Sequence, residues 1–142
     1  MSRPLGEPTL HDIDALLRFL PTFERPDFEP GGFEEGTAED GTPLPRHFAA
    51  SPTLIEFMQA LQDHNWVFEF DWSEWQPVAE RYAKNDSLLD GAGLGTIRKI
   101  LTTHVRREHF EDGHLLGVVR SGHVAAVLRR LSALRGDMQR AS

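Results

Sequence analysis

The sequence predicts a single, compact, mostly α-helical domain of five to six helices, with one or two short strands or a small hairpin. Three observations support this prediction. The chain has 142 residues and no cysteine, 39% of its residues are hydrophobic and 26% are charged, as in one ordinary globular domain. Six segments space their apolar residues three and four positions apart, as a helix face requires. Glycines and prolines concentrate in one long segment after the first helix.

The first helix is predicted over residues 11–20. Thr9 is a suitable N-cap, and Pro21 fits just beyond the end of the helix. The apolar stripe of this helix consists of Ile13, Leu16, Leu17 and Leu20.

An acidic, Gly- and Pro-rich loop is predicted over residues 26–51. Its Asp40-Gly41 pair is typical of a hairpin turn, so the loop is a candidate for a small hairpin. Loops of this length in a compact domain are usually functional or disordered.

The rest of the chain continues the helical pattern. Five more helices are predicted around residues 52–63, 72–82, 94–107, 115–119 and 124–135. Ser51-Pro52 supplies an N-cap followed by proline, a typical helix start. Aromatic and β-branched residues predict a short strand over residues 66–70. Gly136 is expected to end the last helix and leave residues 136–142 as a frayed tail.

Charge is divided unevenly along the chain. The formal net charge is −7, but residues 1–90 carry 18 acidic and 6 basic side chains, whereas residues 91–142 carry 4 acidic and 9 basic ones. We expect the acidic part to lie against the basic part within one fold. The alternative is a basic binding face.

The sequence also indicates a compartment. Residues 1–7 lack the basic and apolar regions of a signal peptide, and no apolar run is long enough for a membrane span. We therefore expect a cytoplasmic protein without a membrane partner.

One motif points to a family. The motif Phe-Asp-Trp-x-x-Trp occupies residues 70–75, an aromatic-x-x-Gly break lies at Phe110 and Gly113, and a Leu- and Arg-rich helix follows Gly122. In these features residues 54–134 resemble small bacterial proteins that are classed only as a domain of unknown function. The resemblance leaves the first helix and the acidic loop outside, and it implies no activity and no catalytic residue.

Two carboxylates of this motif are candidates for chemistry. Asp71 and Glu74 lie beside tryptophans, where a carboxyl pKa can rise enough for acid–base catalysis. With His109 they would form the acid–base pair of a small enzyme. Their spacing also matches a helix capping box, which explains both residues without catalysis and is the favoured interpretation.

Aromatic residues are concentrated in one segment. All three tryptophans and the only tyrosine lie within seventeen residues: Trp66, Trp72, Trp75 and Tyr82. Such a cluster is typical of a core, and its exposed members are typical of a binding surface. The predicted partner-binding residues are Trp66, Trp72 and Trp75 together with Glu34 and Glu35 of the acidic loop.

Basic residues and histidines complete the candidates. A nucleic-acid site would use Arg106, Arg107, Arg129 and Arg130, but the chain has no recognised DNA-binding motif, which argues against it. The histidines at positions 104, 109, 114 and 123 match no metal-ligand spacing. We expect them at the surface or at helix ends, and we expect no metal or cofactor.

These observations predict a non-enzymatic protein-interaction or adaptor module, a monomer or homodimer whose partner protein is unknown. The first alternative is the small enzyme with a carboxylate–His pair. The second is nucleic-acid binding through the basic C-terminal helices.

Overall fold

The computed structural model describes residues 7–34, 36–43 and 47–141, with the side chains of residues 33, 34, 47, 48 and 141 excepted. Its elements run in the order α1 Leu10–Leu17, α2 Leu20–Phe23, β1 Gly31–Glu34, β2 His47–Ala50, α3 Pro52–Asp63, α4 Trp72–Lys84, a 3₁₀ helix Asp86–Gly91, α5 Leu94–Glu108, α6 His114–Arg120 and α7 His123–Ala141. The predicted class, mostly α with a small hairpin, is confirmed.

The first predicted helix is two helices. Helix α1 starts with a capping box in which Thr9 and Asp12 bond each other's backbone amides, so the predicted N-cap is confirmed. It ends at Leu17, and α2 starts anew with Pro21 in its first turn. Proline has no amide hydrogen for the carbonyl four residues earlier, and its ring clashes with that carbonyl, so a continuous helix is disfavoured.

The acidic loop contains an antiparallel hairpin of β1 and β2. Its outer part closes at the predicted turn, where the Ala38 amide donates to the Thr42 carbonyl over 2.8 Å. Gly41 has a φ of +87° there, a conformation that glycine adopts at little cost. The glutamates predicted to bind a partner are not placed, because the Glu34 side chain and all of Glu35 lie outside the described residues.

The predicted strand over residues 66–70 is wrong. Residues 66–69 have no regular secondary structure, and helices rather than a strand satisfy the polar groups of Trp66. Its indole N–H donates to the Asp12 carbonyl over 3.0 Å. Its carbonyl accepts the Thr102 hydroxyl over 2.8 Å. The aromatic composition of this segment therefore serves packing rather than sheet pairing.

Helices α5 and α7 form the centre of the core. Helix α5 contacts α4, α6 and α7, while α7 also contacts α1, α2 and the 3₁₀ helix. Fully buried side chains of these two helices include Ile97, Ile100, Val124, Val127, Leu128 and Leu131. Helix α7 continues past Gly136 to Ala141, so the predicted end at Gly136 is wrong. None of the helices in the described part of the chain is both long and apolar enough to span a bilayer.

Substituting Thr102 with valine tests the contact that replaces the predicted strand. Thr102→Val leaves the buried Trp66 carbonyl without its hydroxyl donor, and we expect the free energy of unfolding to fall by about 1–3 kcal/mol. The matched control is Thr103→Val. The Thr103 hydroxyl donates to the Lys99 carbonyl of its own helix, which the helix ladder already uses, so we expect a loss below about 0.5 kcal/mol. Urea unfolding measures both values, and equal losses would contradict this account.

Candidate functional site

A groove of the described residues lies between the segment that leads into α4 and the C-terminal end of α5. It has a volume of about 760 Å³. Four aromatic side chains line it, namely Phe68, Phe70, Trp72 and Phe110. Three polar side chains, those of Glu69, Arg106 and His109, complete the lining. We call this surface the aromatic groove.

The start of α4 fixes one wall of the aromatic groove. Asp71 caps the helix, and its carboxylate accepts the Glu74 amide over 3.3 Å and the Ser73 hydroxyl over 2.9 Å. Trp72 is therefore the first helical residue. The capping interpretation of Asp71 is supported, whereas the Glu74 side chain is exposed. The Asp71 carboxylate, one of the two candidates for acid–base chemistry, thus accepts hydrogen bonds from its own helix.

Trp72 and Phe110 form the mouth of the aromatic groove. Their rings stack at 5.8 Å between centroids with an interplanar angle of 27°. Phe110 is 81% exposed, an unusual position for a large apolar side chain. It lies just after α5, where its amide donates to the Arg107 carbonyl over 3.0 Å.

A buried arginine supports the floor of the aromatic groove. The Arg98 guanidinium lies 4.0 Å from the centroid of the Phe68 ring. It also donates to the backbone and side-chain oxygens of Asn65 over 2.9 and 3.1 Å. Phe68 in turn stacks on Phe70 at 4.8 Å. The segment before α4 is thus held on α5 although it has no regular secondary structure.

Glu108 holds the turn that carries Phe110. Its buried carboxylate accepts the amides of Gly113 over 3.0 Å and Leu115 over 2.8 Å. These amides belong to the start of α6, where a negative charge is favourable. Gly113 has a φ of +89°, which glycine alone adopts easily. Sequence reasoning missed this role, because capping signals are sought next to the helix being capped and Glu108 belongs to the previous helix.

The two arginines at the end of α5 differ in their partners. Arg107 is paired with Glu80 at 3.3 Å and with Glu111 at 2.9 Å. Arg106 lines the aromatic groove, and no acidic side chain pairs with it among the described residues. Arg106 is therefore the cation available to a ligand in the groove.

A second groove of about 610 Å³ lies on the other side of the same turn. Its lining includes the exposed Ile55 and the half-buried Met58. His109 lines both grooves. The two grooves are therefore adjacent, and His109 forms the boundary between them.

The predicted tryptophan surface needs one correction. The Trp66 side chain is 0% exposed, because it fills the core between α1, α3 and α5, so it is not available to a partner. Trp72 and Trp75 are half-buried. The Trp75 ring lies against Phe70 at 6.2 Å and against Tyr82 at 6.3 Å, beside the aromatic groove.

The arginines of the predicted nucleic-acid site are mostly engaged within the chain. Arg129 pairs with Glu24 at 3.1 Å, and Arg130 donates to the Ala92 carbonyl over 2.9 Å. Further pairs join the same two parts of the chain: Arg120 with Glu29, and Arg135 with Asp14. The expectation that the acidic part lies against the basic part is confirmed.

The four C-terminal histidines do not share one environment. His109 is exposed at the end of α5, as expected. His104 is buried in the middle of α5, so the expectation of a surface or helix-end position is wrong for it. Within the part of the chain that is described, no group of three or more His, Asp or Glu side chains is arranged to hold a metal ion.

The chain matches one known family. The pattern of DUF6508, described as a family of unknown function, matches residues 8–137. The protein belongs to this family. The expected limits of the resemblance are too narrow, because the match includes the first helix and the acidic loop. No curated protein and no solved structure matches the chain.

Glu108→Gln tests how the turn is held. The variant loses the negative charge, and its amide N–H₂ faces the start of α6 where an acceptor is needed. We expect the free energy of unfolding to fall by about 1–2 kcal/mol. The matched control is Glu111→Gln in the same turn, whose side chain is exposed and is expected to contribute less than about 0.5 kcal/mol. Thermal or urea unfolding decides between them, and a larger loss in the control would contradict the assigned role of Glu108.

Proposed function

We propose that the protein is a non-enzymatic interaction module that binds a segment of a partner protein in the aromatic groove. The observation that carries this proposal is the stacked pair of Trp72 and Phe110 at the mouth of the groove, with Phe110 81% exposed. Exposed apolar surface that borders a groove is typical of interaction sites, and tryptophan and arginine are enriched where binding energy concentrates.

The aromatic groove is largely ordered before a partner arrives. Asp71 fixes the helix start at Trp72, Arg98 supports Phe68, and Glu108 holds the turn of Phe110. Binding then orders few side chains, which reduces its entropic cost. This supports recognition by rings that are already in place.

Although the exposed Glu69 also lines the aromatic groove, the cationic side chains in and beside the groove favour a partner segment with a negatively charged residue. Arg106 has no acidic partner in the described part of the chain, His109 lines the same groove, and the Lys99 ammonium lies 5.9 Å from the centroid of the Phe70 ring. We propose an apolar or aromatic anchor residue that packs on Trp72 and Phe110, with an Asp or Glu close by that pairs with Arg106. Charge complementarity of this kind sets specificity and association rate.

The second groove extends the same surface. Ile55 and Met58 would receive a further apolar residue of the segment once its chain has crossed His109. A partner segment that spans both grooves would contact most of the exposed apolar side chains on this side of the protein.

The proposal also covers the source organism of the protein, its location in the cell and its oligomeric state. We propose a cytoplasmic protein of a bacterium that is a monomer or a homodimer, in a family marked by the motif of residues 70–75.

Selection from a library of short random peptides displayed on phage tests the proposed function. We expect enrichment of peptides that combine an apolar or aromatic anchor with a nearby Asp or Glu. Phe110→Ala should reduce their affinity at least about tenfold while changing the free energy of unfolding by less than about 1 kcal/mol. Isothermal calorimetry with one selected peptide measures the affinity, and urea unfolding measures the stability.

Two matched controls and one second variant sharpen this test. Leu88→Ala removes another exposed apolar side chain, 44% exposed and outside the aromatic groove, and should leave affinity unchanged. Arg106→Gln should weaken binding and its salt dependence, whereas Arg129→Gln, whose arginine pairs with Glu24, should not. Enrichment that survives Phe110→Ala would contradict the proposal. Binding of single-stranded RNA that is tighter than binding of the selected peptide would also contradict it. So would a dimer that Phe110→Ala converts to a monomer.

A further inference from the structure

Three histidines from three helices meet beside the turn that joins α5 to α6. Nδ1 of His104 lies 3.0 Å from Nε2 of His114. The rings of His104 and His123 contact edge to face, with centroids 5.3 Å apart. Nδ1 of His123 lies 3.0 Å from a carboxylate oxygen of Asp86. The cluster therefore joins α5, α6, α7 and the 3₁₀ helix.

The contacts assign the protons of the neutral cluster. A carboxylate only accepts, so His123 carries its proton on Nδ1 and its Nε2 is unprotonated. Nε2 of His104 and Nε2 of His123 are buried and have no hydrogen-bond partner among the described residues. A lone pair there avoids an unpaired buried N–H, so His104 donates from Nδ1 and Nε2 of His114 accepts.

A further proton has no favourable position in this arrangement. On Nε2 of His104 it would be a buried donor without an acceptor. On Nε2 of His114 it would face the N–H of His104 and break the bond between the rings. Moving the shared proton to His114 leads to the same problem, because His104 must then carry its own proton on the buried Nε2.

The surroundings of the cluster mostly lower the pKa values of His104 and His114 and so also oppose a further proton. Burial lowers the pKa of His104 well below its ordinary value of 6.5, and His123, His114 and Arg107 lower this pKa further. Burial also lowers the pKa of His114, as do Arg107 and His123, while Glu111 and Glu80 oppose the change. Arg107 comes from α5, Glu80 from α4, Glu111 from the turn and Asp86 from the 3₁₀ helix.

We propose that His104 and His114 form an acid-sensitive latch: as neutral rings they hold α6 on α5, and protonation releases α6 together with the turn of residues 109–113. The latch spans the break between the two helices, where the chain itself provides no continuous helix. It concerns the fold alone and does not depend on a partner.

The direction and pH range of the effect follow from the binding of protons. The released form takes up a proton near pH 6.5, whereas the latched form, with its lowered histidine pKa values, does so only at lower pH. The stabilisation of the latched form relative to the released form is therefore fully present above that pH and decreases as the pH falls below it. Each of the two histidines contributes a factor of up to about ten per pH unit to the change in the equilibrium constant within this range.

Hydrogen exchange followed by mass spectrometry between about pH 7.5 and 5 tests the latch in the whole protein. Protection factors are compared rather than rates, because the intrinsic exchange rate itself changes with pH. We expect the amides of α6 to lose protection by about tenfold or more per pH unit below the ordinary histidine pKa, because two histidines take up protons on release. The amides of α3, residues 54–61, should keep theirs.

Glutamine variants identify the groups responsible. His114→Gln cannot be protonated, and we expect a shallower dependence of α6 protection on pH. His104→Gln should act in the same way, and His114→Gln, at the start of α6, provides the test if His104→Gln fails to fold. His109→Gln changes an exposed histidine of the same turn and should keep the full dependence. Constant protection of α6 in the wild type, an equal loss in α3, or an unchanged slope in His114→Gln would each overturn the proposal.

Discussion

The buried indole of Trp66 joins three parts of the chain that are far apart in sequence. The indole N–H donates to the Asp12 carbonyl in α1, the backbone carbonyl of Trp66 accepts from the Thr102 hydroxyl in α5, and the side chain is 0% exposed. Because the residue is fixed at both its ring and its backbone, the segment that follows has to run across α5. Phe68 and Phe70 thereby reach the aromatic groove, so the placement of the site begins with a residue that no ligand can touch.

The opposite wall of the aromatic groove is held in another way. The turn after α5 depends on directed polar contacts, from the Glu108 carboxylate to two amides of α6 and from His104 to His114. Such contacts fix orientation closely, but each one is costly when its partner is lost. Phe110 lies in this turn and is itself largely exposed. The turn is thus oriented by a few polar groups rather than by extensive apolar packing, as is common for segments that bind.

Local signals in the sequence explain which elements could be predicted. The cap formed by Thr9, the Ser51-Pro52 start of α3 and the Asp40-Gly41 turn each involve residues within four positions of one another. The incorrect strand arose because the partners of Trp66 lie 54 and 36 positions away. Likewise His104 meets His114 across ten positions and a helix break, so a search for ligand spacing within one helix misses the pair. Three residues of the aromatic groove were candidates from the sequence, namely Trp72, Arg106 and His109, but the exposure of Phe110 depends on where the turn is placed.

The distribution of charge bears on what the aromatic groove is proposed to bind. Exposed ion pairs such as Arg129–Glu24 and Arg120–Glu29 contribute at most about 1 kcal/mol each to stability. Their larger effect is that basic residues of the C-terminal part are neutralised by acidic residues of the N-terminal part, which leaves no broad basic face on α7. Arg106, which has no such partner among the described residues, keeps its charge at the aromatic rings. Because salt screens charges over about 10 Å at moderate ionic strength, a segment bound in the groove would respond to this arginine more than to the net charge of −7. An acidic protein can in this way present a site that favours an acidic ligand.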